Sequence, residues 1–174
     1  MDHSLAKEVG ARSLPGNRIL PAMKSDLLEK IRAELRCQLE RLSKAASEAH
    51  AAATDPGSRA EGKYDTRSIE ASYLAVGQAR QVDELAQAAR IFETLTLPAF
   101  ALSDGVDAGA LVEADLAGET VFFLLVPAAG GMTLAYEDSE VTLLTPESHL
   151  YGKLLGMSRG ESLDSPPLTV KAVG

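Results

Sequence analysis

Two long stretches of helical periodicity, joined by a short polar segment, constrain this chain more than anything else in it. From Ser25 to Thr54, Leu28, Leu35, Leu42 and Ala49 recur at one heptad position, and Ile31, Gln38, Ala45 and Ala52 at the other. That pattern is the seam of a helix lying lengthwise against a partner. Ser25 ahead of Asp26 and Leu27 reads as an N-cap with a negative first turn, and Asp55-Pro56-Gly57 is a stop. At helical rise the segment makes a rod of about 45 Å. Further on, Leu74, Gln78, Gln81, Leu85, Ala88, Phe92 and Leu95 repeat at alternating spacings of four and three, flanked by Val82 and Ala89. The spacing predicts a second helix over 66–95. Because the connection is short, an intramolecular antiparallel pair is the first expectation. A parallel homodimer through the Leu28 seam is the alternative. The first seam passes from Leu to Ala toward the connection, where the helices can come closer.

The polar segment between the helices, Ala60-Glu61-Gly62-Lys63-Tyr64-Asp65-Thr66-Arg67, becomes the tip of this hairpin and concentrates charge there. Asp65 directly before Thr66 is also a suitable N-cap for the second helix. Lys63 and Arg67 beside the carboxylates either contact phosphates or are solvated helix-end charges.

Pro98 closes the helical region, and the pattern then changes. Residues 110–116, 120–126, 132–136 and 141–144 are short runs rich in Val, Leu, Phe and Thr, separated by Ala117-Gly118-Glu119, by Pro127 through Gly131, and by Glu137-Asp138-Ser139. They predict an antiparallel sheet. Thr145-Pro146 reads as an N-cap with proline in the first helical turn; Leu150, Leu154 and Leu155 give a short apolar face, and Gly156 a C-cap. Leu168 to Val173 returns as a last strand. The expected organisation is a loose tail over 1–22, the hairpin over 23–96 and the β-body over 97–174. Such a body is small enough to be marginal by itself.

Charge is divided unevenly along these parts. The net −8 equals the charge of residues 96–174, which hold three Lys/Arg against eleven Asp/Glu, while the residues before them balance. A duplex-binding body needs the opposite footprint, so independent DNA binding is not expected, and a basic protein surface suits it better. The single Cys37 cannot form an intramolecular disulfide and fits a reducing, cytoplasmic setting. Neither an exported leader nor a membrane span is indicated in residues 1–23, where Gly10, Pro15, Gly16 and Pro21 break any periodicity. His3, His50 and His149 lack zinc spacing, and no nucleophile–base arrangement can be read from spacing. The chain is not expected to be an enzyme by itself.

The run from Val141 through Thr145-Pro146-Glu147-Ser148-His149-Leu150-Tyr151 to Leu154-Leu155-Gly156, then Gly160-Glu161, resembles the bacterial Gre transcript-cleavage factors. So does Ile69-Glu70-Ala71-Ser72-Tyr73-Leu74-Ala75 with Gln78, which looks like the start of that family's second stem helix. The resemblance covers the chain from about Lys24 onward and rests on the order and spacing of these segments. It implies an α+β chain: an antiparallel coiled-coil hairpin followed by a small FKBP-like antiparallel β domain with one short helix. It also implies a partner, RNA polymerase, on which the body docks at the rim of the secondary channel. Val141, Thr145, Pro146, Ser148, Leu150 and Leu154 would form or support that patch.

In the family the stem enters the channel, and tip carboxylates help hold an Mg²⁺ shared with the polymerase while the 3′ end of a backtracked nascent RNA is cut. The corresponding residues here are Asp65 and Glu70, with Glu61 as a third candidate, and no cofactor belongs to the chain itself. Hard oxygen donors suit Mg²⁺, which takes only one or two carboxylates from any donor and keeps several waters. The chain departs from the family where an Asp is followed three residues later by Glu: after Asp65 that place is Ser68. The alternative function is therefore a secondary-channel inhibitor without cleavage activity. An FKBP-like chaperone or interaction module is the other, with few aromatics to line a pocket. The segment from Leu163 to Gly174 is short for the family's paired terminal strands, so the sheet is expected to lack one.

Overall fold

The computed structural model describes residues 20–54, 66–101, 103–136 and 139–174, with side-chain surroundings given for 23–51 and from 76 onward within those ranges. Helix α1 (Leu20–Thr54) and helix α2 (Thr66–Thr94) are followed by strands β1 (Leu111–Leu116), β2 (Glu119–Leu125), β3 (Thr133–Tyr136) and β4 (Ser139–Leu144). Helix α3 (His149–Leu154) and strands β5 (Ser162–Leu163) and β6 (Leu168–Val173) complete the chain.

The two long helices pack against each other within one chain, as the short connection implies. The side chains of Leu27, Ile31 and Leu35 on α1 are fully buried with Phe92 of α2. Helix α1 begins at Leu20 rather than at Ser25, so Ser25 is not its cap. Pro21 falls in the first helical turn, where no amide bond is lost. The added turn also brings Met23 and Lys24 into burial. Helix α2 keeps its predicted bounds closely. Its last turn is tied down by Arg32 of α1, whose Nε donates to Phe92 O at 2.8 Å and whose Nη2 donates to Leu95 O at 3.3 Å. A cation there satisfies carbonyls that a helix end leaves without partners and meets the negative end of its dipole.

The six strands form one sheet in the order β3-β4-β2-β1-β6-β5. Hairpins β1–β2, β3–β4 and β5–β6, and the pair β1–β6, are antiparallel, but β2 and β4 run parallel, Phe122 facing Val141 and Leu125 facing Leu144. The sheet is therefore mixed, which corrects the wholly antiparallel expectation. Parallel neighbours need a connection of a dozen residues or so, and β3 with its flanking segments supplies it. The loop leaving β2 must cross the end of β4 to do this. A side chain at Gly130 would sit 2.5 Å from the Thr145 hydroxyl oxygen, so only glycine lets the loop pass. The terminal strand expected to be missing is present but reduced to Ser162 and Leu163, paired with Thr169 and Leu168.

One face of the sheet receives the base of the stem. Leu111, Phe122, Leu124, Val141 and Leu143 join Leu27, Ile31, Leu35, Ala88 and Phe92 in a single apolar cluster. The opposite face carries α3: Tyr151 and Leu154 pack with Val112, Phe123, Leu125, Leu168 and Val170. Alternation along each strand sends successive side chains to the two faces, so a small sheet serves two cores. At roughly 25 cal/mol per Å² of apolar surface, the stem base supplies burial that the body lacks alone.

Candidate functional site

The Thr145-Pro146-Glu147-Ser148 segment is a turn rather than the start of a helix: Ser148 N donates to Thr145 O at 2.8 Å, and α3 begins only at His149 with Ser148 at its N-cap position. Thr145 is buried and packs under Gly130, so its hydroxyl holds the turn and not the helix. That hydroxyl, followed by the residue's own backbone amide, keeps the exposed Glu147 carboxyl below its ordinary range. At the other end, Gly156 with φ +79° follows the last helical turn, the left-handed position that favours glycine. Its N–H donates to Val106 O at 2.7 Å, fastening the helix to the segment before β1.

The expected docking residues separate accordingly. Val141 and Leu154 are fully buried on opposite faces of the sheet and support the surface without reaching it. Pro146 and His149 are exposed, while Ser148 and Leu150 are half-buried. The outward apolar contact is instead Leu155, 42% exposed. Consecutive leucines cannot both face inward from the end of a short helix, and Leu154-Leu155-Gly156 carried that signal. Exposed Glu147, Arg159 and Glu161 and half-buried Lys153 lie in this stretch, so residues 145–161 balance two acids with two bases while the rest of the body carries its negative charge.

On the far side of the molecule the stem projects past the body. No described residue from Arg36 to Ala51 or from Val76 to Gln87 is buried, and the 19 residues from Arg36 to the end of α1 extend about 28 Å. Of the tip carboxylates, Glu61 and Asp65 lie outside the described residues. Glu70 is on α2, five positions into the helix, and its side chain is not among those described. Among the described residues no group of three or more His, Cys, Asp or Glu could hold a metal ion. None of their helices is long and apolar enough to cross a membrane.

The joint between stem and body contains the basic residues that sequence reasoning passed over. Lys24 donates to Pro98 O at 2.5 Å and Gly174 O at 3.0 Å, and its ammonium sits 4.7 Å from the centre of the Phe100 ring. Burial lowers its pKa to about 8. Two turns further, Lys30 donates to Ala135 O at 3.2 Å and lies over the Tyr136 ring at 4.9 Å. The Tyr136 hydroxyl donates to Asp26 at 3.3 Å. Lys24, Lys30 and Arg32 thus anchor α1 on main-chain carbonyls of the linker, the body and α2. In the sequence they read as ordinary helix-surface cations, because a carbonyl partner leaves no mark on composition or heptad.

No family model matches the chain, and no curated protein matches it. Among solved structures it is similar to the GreA factor homolog 1 (Gfh1) protein of Thermus thermophilus, at 20% identity over 82% of this chain and 94% of that one, with a TM-score of 0.33. A second structure of the transcription factor Gfh1 gives 21%, 82%, 92% and 0.34 in the same measures. The Thermus aquaticus Gfh1 gives 18%, 81%, 92% and 0.32.

Proposed function

We propose that the chain is a transcription factor of the Gre kind, which binds RNA polymerase through its acidic body and inserts the stem toward the polymerase active site. The observation that carries this reading is the layered joint. A projecting two-helix stem is seated on one face of a sheet whose other face presents the Pro146 turn, α3 and Leu155, the stretch that most resembles the family. The body is the handle and the stem the probe. Lys24, Lys30 and Arg32 fix the angle between them, so docking at one end positions the other.

At the tip, Asp65 and Glu70, with Glu61, are oxygen donors of the type Mg²⁺ accepts. A shared Mg²⁺ would stabilise the attacking and leaving oxygens of RNA cleavage. This chain's own part is to deliver carboxylates at the end of a stiff helix pair and to occupy the channel around them. Ser68 stands where the family carries a second acid, and that favours the other outcome, a plug that slows synthesis without cleavage.

Core polymerase stalled on a backtracked transcript tests both at limiting Mg²⁺. Faster shortening of the RNA with the wild-type chain, lost in Asp65→Asn while binding persists, is the expected result for a metal donor. Slower synthesis with no shortening assigns the tip to the plug. Failure to co-purify with core polymerase, or binding by the chain indifferent both to added salt and to Leu155→Glu, sinks the docking reading itself.

A further inference from the structure

A groove of about 880 Å³ runs between the stem and the outer edge of the sheet, lined by residues of both helices and by 129–135. Its sheet wall is β3, an edge strand of the sheet among the described residues. Leu143 N donates to Met132 O at 2.8 Å, and Thr133 faces Thr142 across the ladder. By alternation, Leu134 and Tyr136 bond β4, while Thr133 and Ala135 turn their amides and carbonyls outward. The Lys30 ammonium on Ala135 O confirms this direction and blocks one of the four groups. Thr133 N–H, Thr133 C=O and Ala135 N–H then face the groove. Opposite them stand the half-buried Leu42 and Leu85 of the stem, with half-buried Met132 next to them on the sheet wall.

We infer that this groove binds an extended peptide segment of a partner protein as an additional strand on β3, with apolar residues toward the stem and a basic residue at its rim. An outward row of amide and carbonyl selects an extended chain, because a helix has already spent its backbone groups internally. The half-buried leucines take alternate side chains of such a strand. Charge specifies the rest: among the described residues Glu34 and Glu84 are the charged side chains that line the groove, while Lys30 at its edge is committed to Ala135 O and the Tyr136 ring. Glu34 meets Gln38 at 2.7 Å and Arg41 at 3.6 Å, and Glu84 meets Arg80 at 2.8 Å. The two ion pairs, each within a single helix and partly exposed, are weak and yield to a lysine arriving between the helices. The inference stands apart from the polymerase reading, since the groove lies on the stem side of the sheet and α3 on the other.

A fluorescein-labelled peptide Thr-Val-Thr-Val-Thr-Lys-Thr, whose two valines and lysine share one face of a strand, titrated into the full chain and read by anisotropy, tests it. Saturable binding is expected, with slowed amide exchange at Thr133 and Ala135. Thr133→Pro removes an outward amide and leaves the β3–β4 ladder intact, and it should weaken binding by about tenfold. The double variant Glu34→Lys, Glu84→Lys should weaken it further, and circular dichroism reports whether either variant has lost its fold. On the ligand side, where folding of the protein is not at issue, the peptide N-methylated at alternate residues should not bind. Equal binding of the N-methylated peptide overturns the strand pairing, as does absence of binding by the parent peptide. Concentration-dependent dimerisation abolished by Thr133→Pro would assign the edge to a second copy of this chain and overturn the peptide occupant.

Discussion

The two halves of the stem are written in the same heptad and live in different surroundings. Toward its base, Leu27, Ile31 and Leu35 are fully buried, because the sheet closes over the helix pair as a third layer. Beyond Leu35 the pattern continues through Leu42, Ala45 and Ala49, yet Leu42 is half-buried and the two alanines are exposed. A two-helix pair alone cannot enclose its seam; burial ends where the body ends. The base therefore carries the stability and the outer half carries reach, and substitutions along one heptad position should grade from severe to silent.

Leu35→Asp should be the most damaging, since it puts an unpaired charge into the shared core at a cost of several kcal/mol. Urea unfolding measures it. Sedimentation of the same variant sharpens the comparison: a wild-type dimer that becomes a folded monomer would return the seam to an intermolecular coiled coil.

Phe92→Ala comes next, at about 3–5 kcal/mol, because Phe92 fills the space between α1 and the sheet. Leu85→Ala, two turns outward and half-buried, should cost clearly less. Equal losses at the two sites would mean that the sheet adds nothing to the seam.

The joint gives a pH-dependent version of the test. Lys24 releases its proton near pH 8 when folded and near 10.5 when unfolded. Between these values the unfolded chain holds more protons, so stability should rise with pH across about 8 to 10.5 and be flat and lower beneath that window. Subtracting the unfolding free energies of Lys24→Met from those of the wild type isolates this slope from other groups titrating there. A difference that does not change with pH would show that Lys24 is solvated.

How legible all this was depends on whether an interaction leaves a periodic trace. Both long helices, the strand 168–173 and the Gly156 stop could be read, because heptads, alternation and left-handed glycines are written residue by residue. The parallel pairing of β2 with β4 could not, since alternation is the same in either direction and only the close passage of Gly130 over Thr145 distinguishes them. The turn before α3 was misread for a related reason: Thr145-Pro146 has the composition of a helix start, but burial of Thr145 commits its hydroxyl elsewhere. Among the candidate site residues, Val141 and Leu154 were placed on the docking stretch by resemblance, which reports position in a motif and not direction. Leu155 points out because its neighbour points in.

The smallest effect expected is at the outer seam. Ala45 shares its heptad position with Ile31, and by pattern alone the two should respond alike to a charge. In the structure Ala45 is exposed, so Ala45→Glu leaves its carboxylate in water, costs only the few tenths of a kcal/mol that separate Ala from Glu in helix propensity, and should stay within about 0.5 kcal/mol of wild type. Glu at Ala49, on the other seam position and equally exposed, should behave the same way, and the double variant should lose a few tenths of a kcal/mol more than the sum, because two glutamates at i and i+4 on one helix repel. A loss above about 1 kcal/mol at either site would mean that the seam closes along its full length and that the stem is stable without the sheet. The contrast between base and outer half would then be one of residue size and not of layers.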